Sequence, residues 1–310
     1  MQLPIPSSNF SGVGSYTITI TNIVSTSSLG ICNNIIGSIF DVFHINPIPK
    51  INNATLTIVP VCQTFDALVN FSGTSNLTDG NYDIVYNISG VNTAVAIPSV
   101  FSITGGLGSF AIPKALIPNV GTSTITITRI TNTATGCTNT SALNEQFTVN
   151  PLPDATNLVA TINDVCQGQP ISVKLSGLGT LTAIAITYNL SGFNTLTSQT
   201  IPLAVVAGEV NFVIPATDIP NVGLTSFTIT DLTNTVTGCT LAINNKTDFT
   251  VNPIPAIPAA NDQNFCTSEN TTVANLSPQG NQYQWFDSAT STVPLISTTP
   301  LVSGNYYVKE

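Results

Sequence analysis

In three stretches of the chain, apolar and polar side chains alternate with a period of two. Along 15–21, Tyr16, Ile18 and Ile20 fall on one face, and Thr17, Thr19 and Thr21 on the other. The stretch 124–130 repeats this with Ile125 and Ile127, and 226–232 with Phe227 and Ile229. Alternation of β-branched and apolar residues predicts a strand in a sheet with one wet face. All three then slip by one position, at Ile23, Ile130 and Leu232, which predicts a bulge or the strand's exit into a loop. No stretch carries the 3.6-residue period of a helix, and Pro and Gly break the apolar runs often.

The alternating stretches belong to a larger repeat. Phe43-His-Ile-Asn-Pro-Ile-Pro49, Phe147-Thr-Val-Asn-Pro-Leu-Pro153 and Phe249-Thr-Val-Asn-Pro-Ile-Pro255 are one phrase, and the last two copies stand 102 residues apart. That offset also relates Tyr86-Asn-Ile-Ser-Gly90 to Tyr188-Asn-Leu-Ser-Gly192, and Ile117-Pro-Asn-Val-Gly121 to Ile219-Pro-Asn-Val-Gly223. It relates Thr131-Asn-Thr-Ala-Thr-Gly-Cys137 to Thr233-Asn-Thr-Val-Thr-Gly-Cys239 as well. A repeat of domain size implies a string of similar modules rather than one large globule.

In 50–153 the pattern predicts strands near 54–60, 66–73, 82–90, 93–104, 108–113, 122–131 and 145–150. In 154–255 it predicts them near 156–163, 170–177, 182–191, 198–206, 209–215, 224–232 and 247–252. Seven short strands in about 100 residues is the plan of an immunoglobulin-like β-sandwich. The expected fold is therefore all-β: tandem immunoglobulin-like β-sandwich modules in an extended array. Residues 1–49 supply the C-terminal half of one module, and 50–153 and 154–255 are whole modules. Residues 256–310 form a partial module of a different subtype, with a strand expected at 271–276. The Asn-Pro-x-Pro junctions are expected to be stiff and extended, because proline fixes φ and removes a donor. Together they predict a rod.

Composition narrows the function. Charged residues are 7% of the 310, and the net charge is −9. That gives no basic footprint for nucleic acid or for an anionic membrane surface. No apolar run reaches membrane-spanning length, and Met1-Gln-Leu-Pro-Ile-Pro lacks the basic start and apolar core of a secretory signal. The six cysteines, Cys32, Cys62, Cys137, Cys166, Cys239 and Cys266, form no CxxC and have no adjacent His, which argues against zinc. They recur in register with the repeat, as structural disulfides in an oxidising, extracytoplasmic setting would. Closure within modules pairs Cys62 with Cys137 and Cys166 with Cys239, leaving Cys32 and Cys266 unpaired. Pairing across junctions gives Cys32–Cys62, Cys137–Cys166 and Cys239–Cys266. The first is favoured because compact domains close on themselves. Simple up-down strand order, however, places Cys62 and Cys137 at opposite ends.

The end segment, from Cys266-Thr-Ser-Glu-Asn270 through Tyr283-Gln-Trp-Phe-Asp-Ser-Ala289 to Gly304-Asn-Tyr-Tyr-Val308, resembles the Ig-like modules of very large secreted surface proteins of Bacteroidota. The upstream Thr-Gly-Cys…Phe-Thr-Val-Asn-Pro-x-Pro endings are similar to neighbouring repeats of such proteins, which include gliding-motility adhesins exported by type IX secretion. The resemblance implies an extracellular, cell-surface location, an adhesive or stalk role, and an export signal beyond Glu310. In such modules a Gly-Cys follows the Tyr-rich strand, whereas this chain stops first. The resemblance also makes Asp287-Ser288-Ala289 a candidate O-glycosylation triplet at Ser288. It names no catalytic residue.

Residue by residue, catalysis finds no footing. His44 is the only histidine and stands where the other copies carry Thr148 and Thr250, so it marks a solvent-facing strand position rather than a base. Asp79-Gly-Asn-Tyr-Asp83 has oxygen ligands at alternate positions, as a calcium loop does, but the next module has Leu178-Gly-Thr-Leu-Thr-Ala183 there, and Asp-Gly-Asn is an ordinary turn. Trp285, flanked by Tyr283 and Phe286, is either a sugar-stacking platform or the core plug of a sandwich. The plug is expected, with Tyr283 and Trp285 on one face and Phe286 opposite. No enzyme, cofactor or metal is expected.

The expected role is the stalk of a secreted adhesin that holds a distal binding region away from the cell. Its partners would be neighbouring modules of the same longer chain, surface glycans and other cell-surface proteins, with no nucleic acid and no membrane insertion. The alternatives are a subunit of an extracellular filament or surface layer, and a spacer or carbohydrate-binding part of a large secreted hydrolase.

Overall fold

The computed structural model describes residues 4–10, 12–27, 30–74 and 77–310, so residues 1–3, where a leader would start, lie outside the described residues. Among the described residues the regular elements are strands and five 3-10 turns. The chain divides into two compact units, Met1–Pro153 with Thr233–Leu241, and Asp154–Leu232 with Ala242–Glu310.

The first unit opens with a hairpin of β1 (Gly14–Ser27) and β2 (Gly30–Ile45), a two-stranded antiparallel sheet of its own. Then follow β3 (Thr55–Ile58), β4 (Val61–Cys62), β5 (Ala67–Ser72), β6 (Gly80–Gly90) and β7 (Ala94–Thr104). The unit continues with β8 (Leu107–Ile112), β9 (Gly121–Asn132) and β10 (Thr138–Asn150). The strand order β3-β5-β8-β7-β6-β9-β10-β4 is continuous only because β7 pairs with β8 at Ile103↔Gly108 and Thr104↔Leu107, beside the Gly105-Gly106 turn. Away from that seam, β3-β5-β8 is one layer and β7-β6-β9-β10-β4 the other.

Alternation turns one face of each layer inward. Ala67, Val69 and Phe71 of β5, Tyr82, Ile84, Tyr86 and Ile88 of β6, and Ile125, Ile127 and Ile130 of β9 belong to one buried core. Tyr86 and Phe110 meet across the layers with ring centroids 5.4 Å apart. Burial of one such side chain is worth about 1.5–3 kcal/mol.

The second unit repeats the plan with β11 (Val159–Ile162), β12 (Val165–Cys166), β13 (Ile171–Ser176) and β14 (Ala183–Gly192). These are followed by β15 (Leu196–Ala204), β16 (Val210–Ile214), β17 (Gly223–Asn234) and β18 (Cys239–Asn252), of which the connecting stretch Thr233–Leu241 is counted with the first unit. Here the layers are separate sheets, β11-β13-β16 and β12-β18-β17-β14-β15, because the turn after β15 keeps only the bridge Val206↔Glu209. Its core, which includes Val173, Ile184, Ile186, Phe227, Ile229 and Phe249, is distinct from that of the first unit. The chain thus folds as immunoglobulin-like β-sandwich modules.

The shared slip in the alternation is a bulge. Arg129 pairs with Val85 and Ile127 with Tyr86, so Thr128 is the extra residue. Its hydroxyl donates to Val85 O at 3.0 Å, and Thr230 donates likewise to Thr187 O at 3.2 Å. The bulge thus offers Thr a carbonyl to bond. The strands run on past it, to Asn132 and Asn234.

Two expectations are corrected, and one pair of strands was not expected. β10 and β18 begin at Thr138 and Cys239, not near 145 and 247. The short strands β4 and β12 lie past the ends of β3 and β11 on the opposite layer. In 256–310, the expected strand at 271–276 is a 3-10 turn, Val273–Asn275, because the Asn275 carboxamide accepts from Thr272 N–H at 2.9 Å and closes the chain on itself. This last segment has β19 (Gln284–Phe286) paired with β20 (Tyr307–Lys309) over a small core of Val273, Leu276 and Trp285.

Candidate functional site

The cysteines occupy two repeated settings. In the first, strand β3 stops before Pro60, which has no N–H to donate, and the chain resumes as β4 parallel to β10, pairing Val61 with Val149 and Cys62 with Asn150. Gln63 locks this crossing, donating from its backbone to Asn150 O at 2.8 Å and from its side chain to Pro118 O at 3.1 Å. In the second sandwich, Val165 pairs with Val251 and Cys166 with Asn252, and Gln167 donates to Asn252 O at 2.8 Å and to Pro220 O at 3.2 Å. Cys62 and Cys166 are therefore the same position, here termed early.

The other setting is the hairpin turn between the last two strands. In Thr131-Asn-Thr-Ala-Thr-Gly-Cys137, the Asn132 carboxamide accepts from Ala134 N at 2.9 Å and Thr135 N at 3.2 Å. Gly136 N donates to Asn132 O at 2.8 Å, and Cys137 N donates to Thr135 Oγ1 at 3.3 Å. Around Cys239, Asn234 accepts from Val236 N at 3.0 Å, and Gly238 N donates to Asn234 O at 2.8 Å. The repeated phrase is thus a turn whose Asn, Thr and Gly present a cysteine at the head of a long strand. Cys137 and Cys239 are the same position, here termed late.

One bridge is closed, between Cys62 and Cys239, with Cα atoms 5.5 Å apart and a sequence separation of 177. Both cysteines lie in the first unit, because the turn Thr233–Leu241 belongs to it. Neither expected pairing contains this bond. Closure within a module fails for a metric reason. Cys62 lies beside Asn150, at one end of the 13-residue β10, and Cys137 precedes its other end. At ~3.3 Å per residue that strand separates them by about 40 Å, whereas a disulfide needs Cα atoms within about 7 Å. β18 separates Cys166 from Cys239 in the same way. Cys32, Cys137, Cys166 and Cys266 carry free thiols.

The remaining candidates are structural residues. His44 is exposed and hydrogen-bonded through Nδ1 to Ser15 Oγ at 2.8 Å. Asp79 accepts from Gly105 N at 2.9 Å, which holds the β7–β8 turn, and Asn81 accepts from the Ser102 hydroxyl. Asp83 points to solvent. No group of three His, Cys, Asp or Glu suited to a metal occurs among the described residues.

Trp285 is 8% exposed and donates to Pro278 O at 3.3 Å, so its indole is core rather than a platform. Phe286, the next residue along β19 and so on the opposite face, is also buried, with the Lys309 ammonium 4.3 Å from its ring centroid. Ser288 is half-buried and 3.5 Å from the Thr290 hydroxyl.

Electrostatic perturbation is slight. Hydrogen bonds from Thr156 hold the Asp154 carboxyl below its usual range, and bonds from Ser226 and Lys246 do the same for Asp248. Burial raises the phenols of Tyr86 and Tyr188.

Sequence reasoning missed one repeated pair. Asn92 and Asn194 are each 1% exposed. Asn92 Nδ2 donates to Asn119 O at 2.9 Å and Ser123 Oγ at 3.1 Å, and its Oδ1 accepts from Asn119 N at 2.8 Å. Asn194 makes the same bonds to Asn221 O at 2.9 Å, Thr225 Oγ1 at 2.8 Å and Asn221 N at 2.8 Å. The signal was available: each Asn follows the repeated Tyr-Asn-x-Ser-Gly phrase by two residues, and its partner is the Asn of Ile-Pro-Asn-Val-Gly.

No protein-family model and no curated protein sequence matches the chain. Among solved structures it is similar to the FN1–FN3 domains of chicken CNTN1, at 8% identity over 72% of this chain and 76% of that one, with a TM-score of 0.40. It is similar also to a Ca2+-stabilized adhesin with which an Antarctic bacterium binds ice, at 10% identity over 79% of this chain and 59% of that one, TM-score 0.35. A chimeric titin Z1Z2 is a third, at 12% identity over 66% and 97%, TM-score 0.26.

Proposed function

We propose that this chain is a non-catalytic, load-bearing repeat stretch of a secreted bacterial surface adhesin, holding a distal binding region away from the cell, with gliding motility as its setting. The observation that carries the reading is the Cys62–Cys239 bridge. A pull on the chain ends enters at Cys62 and leaves at Cys239 through the covalent bond. The backbone between them, which holds β5 to β10 of the first sandwich and β11 to β17 of the second, is bypassed. Such a bypass suits a part that transmits force and has no use in an isolated binding domain. The low charge density supports the same role, since a fold resting on polar, uncharged side chains is nearly indifferent to salt.

Single-molecule stretching tests it. With the bridge intact, the 177-residue separation is withheld from extension. Reduction should lengthen the fully extended chain by about 60 nm, at ~3.3–3.6 Å per residue. Equal contour lengths with and without reductant would refute the load path.

A further inference from the structure

The closed bridge joins an early cysteine, Cys62, to the late cysteine of the following module, Cys239. Applied to the whole chain, that rule accounts for every other thiol. Cys137 is late, and the early cysteine it calls for belongs to a module before residues 50–153. Cys166 is early, and its late counterpart belongs to a module after residues 154–255. By the alignment of the repeats, Cys32 is also late and Cys266 also early. The four free thiols are thus the four whose partners the rule places in modules other than the two whole ones.

A second observation places Cys137 at a half-built bridge. Its Sγ lies 3.9 Å from Asn46 O, and Asn139 Nδ2 donates to Pro49 O at 3.0 Å, so the late-cysteine turn rests on the preceding Asn-Pro-x-Pro segment. The counterpart of Asn46 in the next phrase is Asn150, the strand partner of Cys62 in the closed bridge. Cys137 therefore faces the residue beside which an early cysteine sits. Cys166 is exposed, and Asn252 and Gln167 hold it as Asn150 and Gln63 hold Cys62.

We infer that Cys137 and Cys166 are the open halves of a staggered disulfide ladder, in which each module's early cysteine bonds the late cysteine of the module after it. The partner is a β-sandwich of this same repeat, offering a Val-Cys strand to Cys137 or a Thr-Gly-Cys turn to Cys166. Each rung forms when two thiols give up two protons and two electrons to a disulfide oxidant, which leaves as its dithiol. The ladder extends the load-bearing reading, because successive rungs overlap along the chain.

The test is disulfide mapping of the protein isolated from its own cells, alkylated without reduction and digested with pepsin. The expected result is loss of alkylation at Cys137 and Cys166, restored by reduction, with Cys137 bonded to a Val-Cys peptide and Cys166 to a Thr-Gly-Cys peptide. Partner peptides outside residues 1–310 identify a further module of the same polypeptide. A Cys137–Cys166 peptide from a covalent dimer identifies a second copy. Free thiols at both positions, an early–early or late–late bond, or a Cys137–Cys166 bond within a monomer would overturn the ladder. The Cys62–Cys239 peptide, read in the same digest, reports on the bypass separately, so either idea can fail alone.

Discussion

The buried corner at Asn92 is the sharpest place to test what holds a module together. Asn92→Ala removes a side chain that is 1% exposed and makes three hydrogen bonds, two donated and one accepted. At about 1 kcal/mol net per bond, the loss is about 3 kcal/mol, and the stranded Asn119 N–H and C=O keep it from being smaller. For a domain near 100 residues that corresponds to a fall of about 15 °C in Tm. Differential scanning calorimetry measures it directly. Asn194→Ala should cost the same within about 0.5 kcal/mol, and the double variant should be additive, because the two corners sit in different cores.

Asn92→Asp adds a second readout. Burial disfavours the carboxylate, so the folded carboxyl would titrate above the unfolded one. The variant's stability should then fall as pH rises between those two midpoints, where the unfolded chain has lost a proton that the folded one keeps. A loss below about 1 kcal/mol for Asn92→Ala, or a pH-independent Asn92→Asp, would show that water replaces these bonds and that the corner does not hold the module together.

Thr128→Val keeps the shape of the bulge residue but removes the hydroxyl bond to Val85 O, and should cost about 1 kcal/mol in urea unfolding. At Gly192, φ is +101° and an added Cβ would stand 2.7 Å from Leu224 O, so Gly192→Ala should destabilise by more than the ~1 kcal/mol of an ordinary glycine site, as thermal melts would show. Reducing the Cys62–Cys239 bond, which closes 177 residues, should lower the unfolding free energy by up to about 5 kcal/mol, read as a shift in guanidinium midpoint with and without reductant. The raised phenols of Tyr86 and Tyr188 keep their protons in the folded chain after the unfolded chain has lost them, so stability should decline as pH climbs through 10 and beyond. Tyr86→Phe should flatten that decline and remove one late step from the phenolate absorbance titration.

The parts of this fold that were legible in the sequence are those fixed by near neighbours. Ile125, Ile127 and the slip at Ile130 spell a bulged strand within seven residues, and Asn132 to Cys137 spell its turn. β10 was half invisible for a physical reason. From Thr138 to Gln146 it pairs only with β9, and no side chain there is fully buried, so solvent writes the sequence and the apolar period is absent until Phe147. The cysteines show the same division. Register alone made Cys62 equivalent to Cys166 and Cys137 to Cys239, and that equivalence holds down to the Gln63 and Gln167 side-chain bonds. Pairing is a property of where strand ends lie. Because β4 runs parallel to β10 and meets its far end, an early cysteine is carried a full strand length from the late one of its own module. A two-residue strand after Pro60 decides this, too short to announce itself by alternation. It turns a chain that looks self-closing into one whose Cys62–Cys239 bridge runs from one repeat to the next.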